Sequence, residues 1–414
     1  MNLKDKTVCI YDTGFFIPLA EKLAKSNKFK EVLYFNPYED GYYGVNDSLV
    51  GLGIKGIDVI ENPLEAMNDI DLYIFTDCVF SDLQEHLKKL GKNVVGCGNT
   101  NWIEQDRARF REWQKKNGMP IPEYKVIKGI DNLQKELTPD SYIKISRYRR
   151  DMETMRFIDK ARSEQRFDDL KVRFGAYKNK MDFIVEKKIN GVEIGYDGWS
   201  ANGMFPEICL QGIEIKDKGY VGKVVRNENL WKPLKYTNDM VGQIFKEEQT
   251  KSIYSSEVRF NGKDSYLLDP TIRFPNPPFQ AHLELWKNLP EILWGLSQGQ
   301  IIKPIPTALY VAIVIIYSDF ATYNQVSIRI PKGKERWVKL MNYYIVDGEP
   351  VVLPIYGLSE IGAVVGIGMT KDEAINNCKK NAEGIEGDSL DIDVDVFNEA
   401  DKTLKEMEKY GLKF

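Results

Sequence analysis

The stretch Glu257–Pro278, EVRFNGKDSYLLDPTIRFPNPP, decides how the rest of this chain is read. Residues 252–260 and 265–268 are rich in β-forming side chains, and Asn261-Gly262 between them is a turn signal, so the stretch reads as a β-hairpin. A hairpin centred near Lys263 sets Glu257 opposite Asp269, Val258 opposite Leu268 and Phe260 opposite Tyr266. With a strand period of two, Val258, Phe260, Tyr266 and Leu268 then share an apolar face, and Glu257, Arg259 and Asp269 share the other. Carboxylates directly across a hairpin repel one another. A divalent cation between them removes that conflict, and hard oxygen donors at this spacing suit Mg²⁺. Thr271 and Arg273 continue the carboxylate side if the strand runs on. Two carboxylates, a hydroxyl and a guanidinium on one face suit a metal-bound polyphosphate. The same residues also fit the solvated outer face of a surface hairpin.

Outward from the hairpin, the chain has the texture of an ordinary folded protein. It has 414 residues, too many for one core, so two to four domains are expected. Its 57 basic and 61 acidic residues nearly balance, so no global field points to nucleic acid or away from it. The N-terminus, MNLKDKTVCIYD, reads as a charged lead into a strand rather than a signal peptide. The apolar run at residues 308–317 is half the length of a membrane span and reads as a buried strand, so no membrane association is expected. Cys9, Cys78, Cys97, Cys209 and Cys378 are odd in number and scattered, as reduced cytoplasmic thiols would be, and they suggest no zinc site. His86 and His282 are the only histidines, which disfavours histidine metal centres.

The first hundred residues alternate strand and helix. Strands are expected at 7–11, 31–35, 71–76 and 93–97, with helices at 16–26 and 81–90. That rhythm predicts a small parallel sheet with covering helices. Residues 102–117, WIEQDRARFREWQKKN, read as one charged helix ending at Gly118, and Pro120 and Pro122 mark a boundary. Strands follow at 141–146, around Lys144, and at 181–189. Between Lys144 and Lys188 stand 14 Lys or Arg against 8 Asp or Glu, gathered around Arg147, Arg149 and Arg150; a solvated charged face would look the same. Tyr196 and Trp199 fit either a pocket wall or a core. Residues 279–300 read as a helix broken before Pro290 and capped again by Asn288. Strands at 308–317, 325–330, 337–346 and 361–368 follow, then a helix capped by Thr370 with Glu373.

These elements, in this order, resemble the ATP-grasp superfamily, with the phosphoribosylamine–glycine ligase branch the nearest resemblance. Four stretches carry it. EQDRARFREWQKKNGMPIP resembles the helix that bears a basic phosphate contact, here Arg107 where many relatives have lysine. Lys144 in YIKIS matches the lid lysine that reaches the α- and β-phosphates, and the following loop, with Arg147, Arg149 and Arg150, covers the phosphates without the usual glycines. IVEKKINGVE resembles the adenine hinge, placing Glu186, Lys187 and Ile189 at the adenine and Glu193 at the ribose. The hairpin supplies the metal carboxylates Glu257 and Asp269. Where relatives read E-x-N-x-R-F-G-D-P-E, this chain reads D-P-T-I-R-F-P-N-P-P, so Asp269 and Thr271 stand in for Glu and Asn. The lost acidic end lies on the acceptor side and implies a different substrate.

The resemblance implies an α/β chain, α+β in its core. A parallel βα domain would span 1–103 and an ATP-grasp domain 104–300, with a small lid at about 122–185 and a mixed-sheet metal-binding core; an α+β domain would span 301–414. It implies an ATP- and Mg²⁺-dependent ligase that joins a carboxylate to an amine through an acyl phosphate. Lys144 and Arg273 would act on the transferring phosphoryl group. The alternatives are a kinase of a small acceptor and a nucleotide-binding regulator without turnover. Small-molecule carboxylate and amine substrates are expected. A modified nucleic acid acceptor and a homo-oligomer stay open.

Overall fold

The structure is a computed structural model that describes residues 2–37, 49–146, 154–355 and 357–414. The chain divides into two units: Met1–Thr100, Ile194–Ser256 and Thr271–Phe414 form the first, and Asn101–Glu193 with Glu257–Pro270 form the second.

The first unit opens with the expected parallel sheet. Its strands lie in the order Asp58–Val59, Glu31–Phe35, Thr7–Tyr11, Leu72–Phe75 and Asn93–Val95, every neighbouring pair parallel. The helices Ile17–Lys25 and Ser81–Lys89 belong to it. The central strands are buried on both faces, which is why they read as unbroken apolar runs. A second, antiparallel sheet runs through Val192–Ala201, Ile208–Ile215, Gly219–Arg226, Tyr310–Ser318, Glu360–Gly368 and Val338–Leu340. Tyr196 and Trp199 are fully buried core residues of this sheet's first strand. All five cysteines are buried and free, and no helix among the described residues is long and apolar enough to cross a membrane.

The second unit holds a four-stranded antiparallel sheet in the order Tyr124–Lys128, Asp182–Lys187, Ser141–Ile145 and Thr154–Arg156. The helices Ile130–Glu136 and Lys160–Phe174 belong to the same unit. Ile130, Leu133, Phe167 and Leu170 of these helices share its core with Ile143, Ile145 and Phe183 of the strands.

Three local expectations are corrected. The helix expected over 102–117 is two, Trp102–Gln105 and Arg107–Lys116, because Asp106 leaves helical angles and caps the second with its carboxylate on the Arg109 amide. The strand expected over 337–346 is two strands of different sheets, Val338–Leu340 and Tyr343–Val346. Between them Asn342 takes a left-handed φ of 49°, held by its amide on the Gly14 carbonyl and its side chain on the Leu353 carbonyl. In the hairpin, the Asn261 amide donates to the Asp264 carbonyl, and the Asn261 Oδ1 accepts from the amides of Lys263 and Asp264. Gly262 has φ of 94°, so the two-residue turn is Gly262-Lys263, with glycine first.

Candidate active site

The site in the second unit starts from the Arg107–Lys116 helix. Its cap fixes where the helix begins, and residues 107, 111 and 114 then share one face. That face is buried: Arg107 is 7% exposed, Arg111 2% and Gln114 0%. Arginines reach such depth only where partners take up their hydrogen bonds and charge. The strand pair supplies the next two groups. Lys144 is registered opposite Ile184, and Glu186, two residues on, shares its face. Lys144 is 6% exposed and Glu186 4%.

These groups converge with the hairpin. Arg111 Nε donates to Glu186 Oε1 at 2.5 Å. Its Nη1 donates to Gln114 Oε1 at 2.5 Å and to the Leu267 carbonyl at 3.0 Å, and its Nη2 to the Leu268 carbonyl at 2.8 Å. Gln114 Nε2 donates to the same Leu267 carbonyl at 3.1 Å. Lys144 Nζ donates to the Leu268 carbonyl at 3.0 Å and stands 3.6 Å from Glu186 Oε2. Arg107 Nη2 donates to both oxygens of Asp269, at 3.1 and 3.3 Å, and Nη1 to Thr154 Oγ1 at 3.4 Å.

Three cations, Arg107, Arg111 and Lys144, thus meet two carboxylates, Glu186 and Asp269. Burial lowers the Lys144 ammonium below its ordinary pKa; Glu186 and Asp269 oppose that shift, and Arg111 and Arg107 reinforce it. Burial alone would raise the Glu186 carboxyl, but Lys144, Arg111 and Arg107 outweigh it and hold it below the ordinary carboxylate value. Glu186 is therefore an anion at neutral pH.

The other expected site residues scatter more widely. Lys187 is exposed and pairs with Glu123 at 2.6 Å. Ile189 is partly buried. Glu193 pairs with Arg259, which also donates to the Gly191 carbonyl. Glu257 is partly buried on the hairpin. Thr271 and Arg273 belong to the first unit, where Arg273 Nη1 donates to the Phe274 carbonyl at 3.2 Å. Arg147, Arg149 and Arg150 lie outside the described residues. Among the described residues no group of three His, Cys, Asp or Glu side chains gathers as a metal site. Glu257 and Asp269 are still partly exposed carboxylates of one hairpin, the hard oxygen donors that Mg²⁺ takes.

Arg111 and Gln114 are not among the residues expected from the sequence. Their signal was the spacing from Arg107, four and seven residues on, which places all three on one helical face.

No protein-family model and no curated protein matches the chain. Solved structures do. A phosphoribosylamine–glycine ligase from Thermotoga maritima superposes with a TM-score of 0.69 at 15% identity, covering 93% of this chain and 98% of that one. The biotin carboxylase domain of a Hydrogenobacter thermophilus 2-oxoglutarate carboxylase, solved with Mg-ADP, ADP and bicarbonate, gives 0.69 at 11% identity, covering 98% of each chain. An N5-carboxyaminoimidazole ribonucleotide synthetase from Thermotoga maritima gives 0.61 at 14% identity, covering 93% of this chain and 99% of that one. At such identities the likeness speaks for fold, and the fold is the ATP-grasp fold that the four motifs resemble.

Proposed function

From the ATP-grasp fold as premise, we propose that this chain is an ATP-dependent ligase that joins a small carboxylate to an amine. The observation that carries the reading is the buried convergence of Arg107, Arg111 and Lys144 with Glu186 and Asp269. The motifs put the phosphates of ATP beside Arg107 and Lys144, whose charged donors suit phosphate oxygens. In this reading Arg107 and Lys144 meet the phosphates, with Arg147, Arg149 and Arg150 of the loop above them. The hinge at Glu186, Lys187 and Ile189 faces adenine, and Glu193 the ribose. Glu257, Asp269 and Thr271 would hold Mg²⁺, which supplies positive charge to the polyphosphate oxygens. The same reading takes 1–103, 104–300 with its lid, and 301–414 as the functional domains.

The protein's work is positioning and electrostatics. A substrate carboxylate oxygen bonds to the γ-phosphorus as the bond to the ADP oxygen breaks. An amine nitrogen then bonds the acyl carbon, phosphate leaves with the C–O bonding pair, and the amine's proton passes to solvent. Arg273 offsets charge on the phosphoryl group while it moves. The neighbour named phosphoribosylamine–glycine ligase pairs an amine with glycine. Thr271 and the Pro275–Pro278 segment depart from the motif beside the metal site, which speaks for another substrate pair here.

The test is ADP release across a panel of carboxylates, with and without amines. A ligase releases ADP with its carboxylate and yields an amide once the amine is added. ADP release with a stable phosphorylated acceptor and no amide makes the chain a kinase instead. Absence of ATP binding by calorimetry overturns both enzymatic readings.

A further inference from the structure

Lys144 lies beside Glu186 without closing to hydrogen-bond distance, and the charge of Asp269 also acts on it. Glu186 Oε2 is 3.6 Å away, while Glu186 Oε1 sits 2.5 Å from Arg111 Nε. Both oxygens of Asp269 are taken by Arg107. The two arginines lie four residues apart on one helix, so a single helical face withdraws both anions from the lysine. Opposite charges attract strongly at this depth, and an unguarded lysine beside Glu186 would close to hydrogen-bond distance. Arg111 is well fitted to prevent that. Its guanidinium is planar, and Nη1 and Nη2 are pinned on the consecutive carbonyls of Leu267 and Leu268, which aims Nε at Glu186. Lys144 is left with a neutral carbonyl, that of Leu268, and an ammonium has three donors to give.

We propose that Arg111 is a positioning residue that holds Glu186 away from Lys144 and so keeps the Lys144 ammonium available to the nucleotide's phosphates. The proposal rests on the nucleotide reading above. Arg111 itself touches no nucleotide in it. A lysine at this position keeps the charge but cannot hold two carbonyls and a carboxylate in one plane, so Glu186 turns to Lys144 and the phosphate contact weakens. The same change costs a phosphate-free ligand less, because adenosine meets Glu186 through its base but has no phosphate for Lys144.

The experiment compares ATP with adenosine, by calorimetry and by competition, in wild-type protein, Arg111→Lys, Arg111→Met and Arg111→Met/Glu186→Gln. Loss of one charge-assisted contact predicts an ATP Kd raised about tenfold or more in both single variants. Adenosine affinity should fall clearly less than ATP affinity, since adenosine can lose a contact with Glu186 but no phosphate contact. The double variant, in which a neutral amide replaces the carboxylate and no longer draws Lys144, should regain most of the ATP affinity lost by Arg111→Met. Arg111→Lys keeps the test decisive if the methionine variants fail to fold. Unchanged ATP affinity overturns the proposal, as does equal loss of adenosine or a double variant no better than Arg111→Met. Wild-type protein that binds neither ligand overturns the nucleotide reading, and this proposal with it.

Discussion

Replacing Lys144 by methionine should weaken ATP binding roughly ten- to hundredfold and leave the fold almost as stable as before. The binding term is the loss of one ammonium–phosphate contact, about 1.5–3 kcal/mol, at about 1.4 kcal/mol for each factor of ten. The stability term follows from what Lys144 serves. The Leu268 carbonyl keeps Arg111 Nη2 at 2.8 Å, and Glu186 keeps Arg111 Nε at 2.5 Å. No buried polar group is orphaned, and methionine retains the packed stem, so the cost should be about 1 kcal/mol or less. Removal of a partner that was not shared would cost roughly three times as much or more. Calorimetric titration with Mg-ATP reads the first quantity, and urea unfolding the second. An ATP Kd within about threefold of wild type, in a protein that melts normally, refutes the phosphate assignment. Collapse of stability refutes the view that Arg111, rather than Lys144, holds Glu186.

Other perturbations test other parts of the molecule. Arg273→Ala should lower kcat on the order of 10²-fold while changing the KM for ATP less; a kcat within about threefold of wild type, with the fold intact, removes Arg273 from the chemistry. Asp197 is buried, accepts from Tyr220 Oη and Ser255 Oγ at 2.7 Å each, and has its carboxyl pushed up to about 6 by burial. Between about pH 4 and 6 the native state keeps a proton that the unfolded chain has released, so this group's stabilising effect is present at the acid end and lost as pH rises. Asp197→Asn should therefore gain stability over wild type between about pH 4 and 7, on the order of 3 kcal/mol for a shift of about two units, and a constant difference across that range contradicts the assignment. Glu284, buried and paired with Lys339 at 2.7 Å and Arg336 at 2.6 Å, should cost about 3–5 kcal/mol when changed to alanine, because Lys339 is then buried without its partner. Urea unfolding with a loss below about 1 kcal/mol would show the pair to be dispensable.

The parts of the fold that were legible are those fixed by local pattern. The strands Thr7–Tyr11 and Glu31–Phe35 appear at the expected bounds because a doubly covered parallel strand must be apolar throughout. Thr370 caps its helix as read, since its hydroxyl and the Glu373 amide are only three residues apart. What stayed hidden depends on distant partners. Nothing near Asn342 announces that the Gly14 and Leu353 carbonyls will hold it in a left-handed turn and divide a strand. In the hairpin, Asn-Gly signalled a turn, but asparagine serves as the capping side chain outside it. The site shows the same division. Motif spacing named Arg107, Lys144, Glu186 and Asp269, which the second unit does gather. Arg111 escaped because the helix around it carries many charges, and only the tertiary carbonyls of Leu267 and Leu268 make one of them a buried clamp.

Two departures from the ATP-grasp pattern belong together. In the pattern that the motifs resemble, many relatives have lysine at the position of Arg107 and typically glutamate at that of Asp269. Aspartate is one methylene shorter than glutamate, and a lysine offers a single point charge to whichever oxygen it reaches. In this chain the longer, forked arginine reaches down to the shorter acid, and one nitrogen bridges both of its oxygens. The exchange at one end answers the exchange at the other in reach, and Asp269 stays partly exposed. Aspartate alone at this place looks like decay of a metal site. Aspartate held by Arg107 fits a site retuned, and under the proposed ligase reading the pair should matter to turnover. Arg107→Lys with Asp269→Glu would then act as a paired exchange: each alone should impair ATP turnover, and the two together should restore much of it.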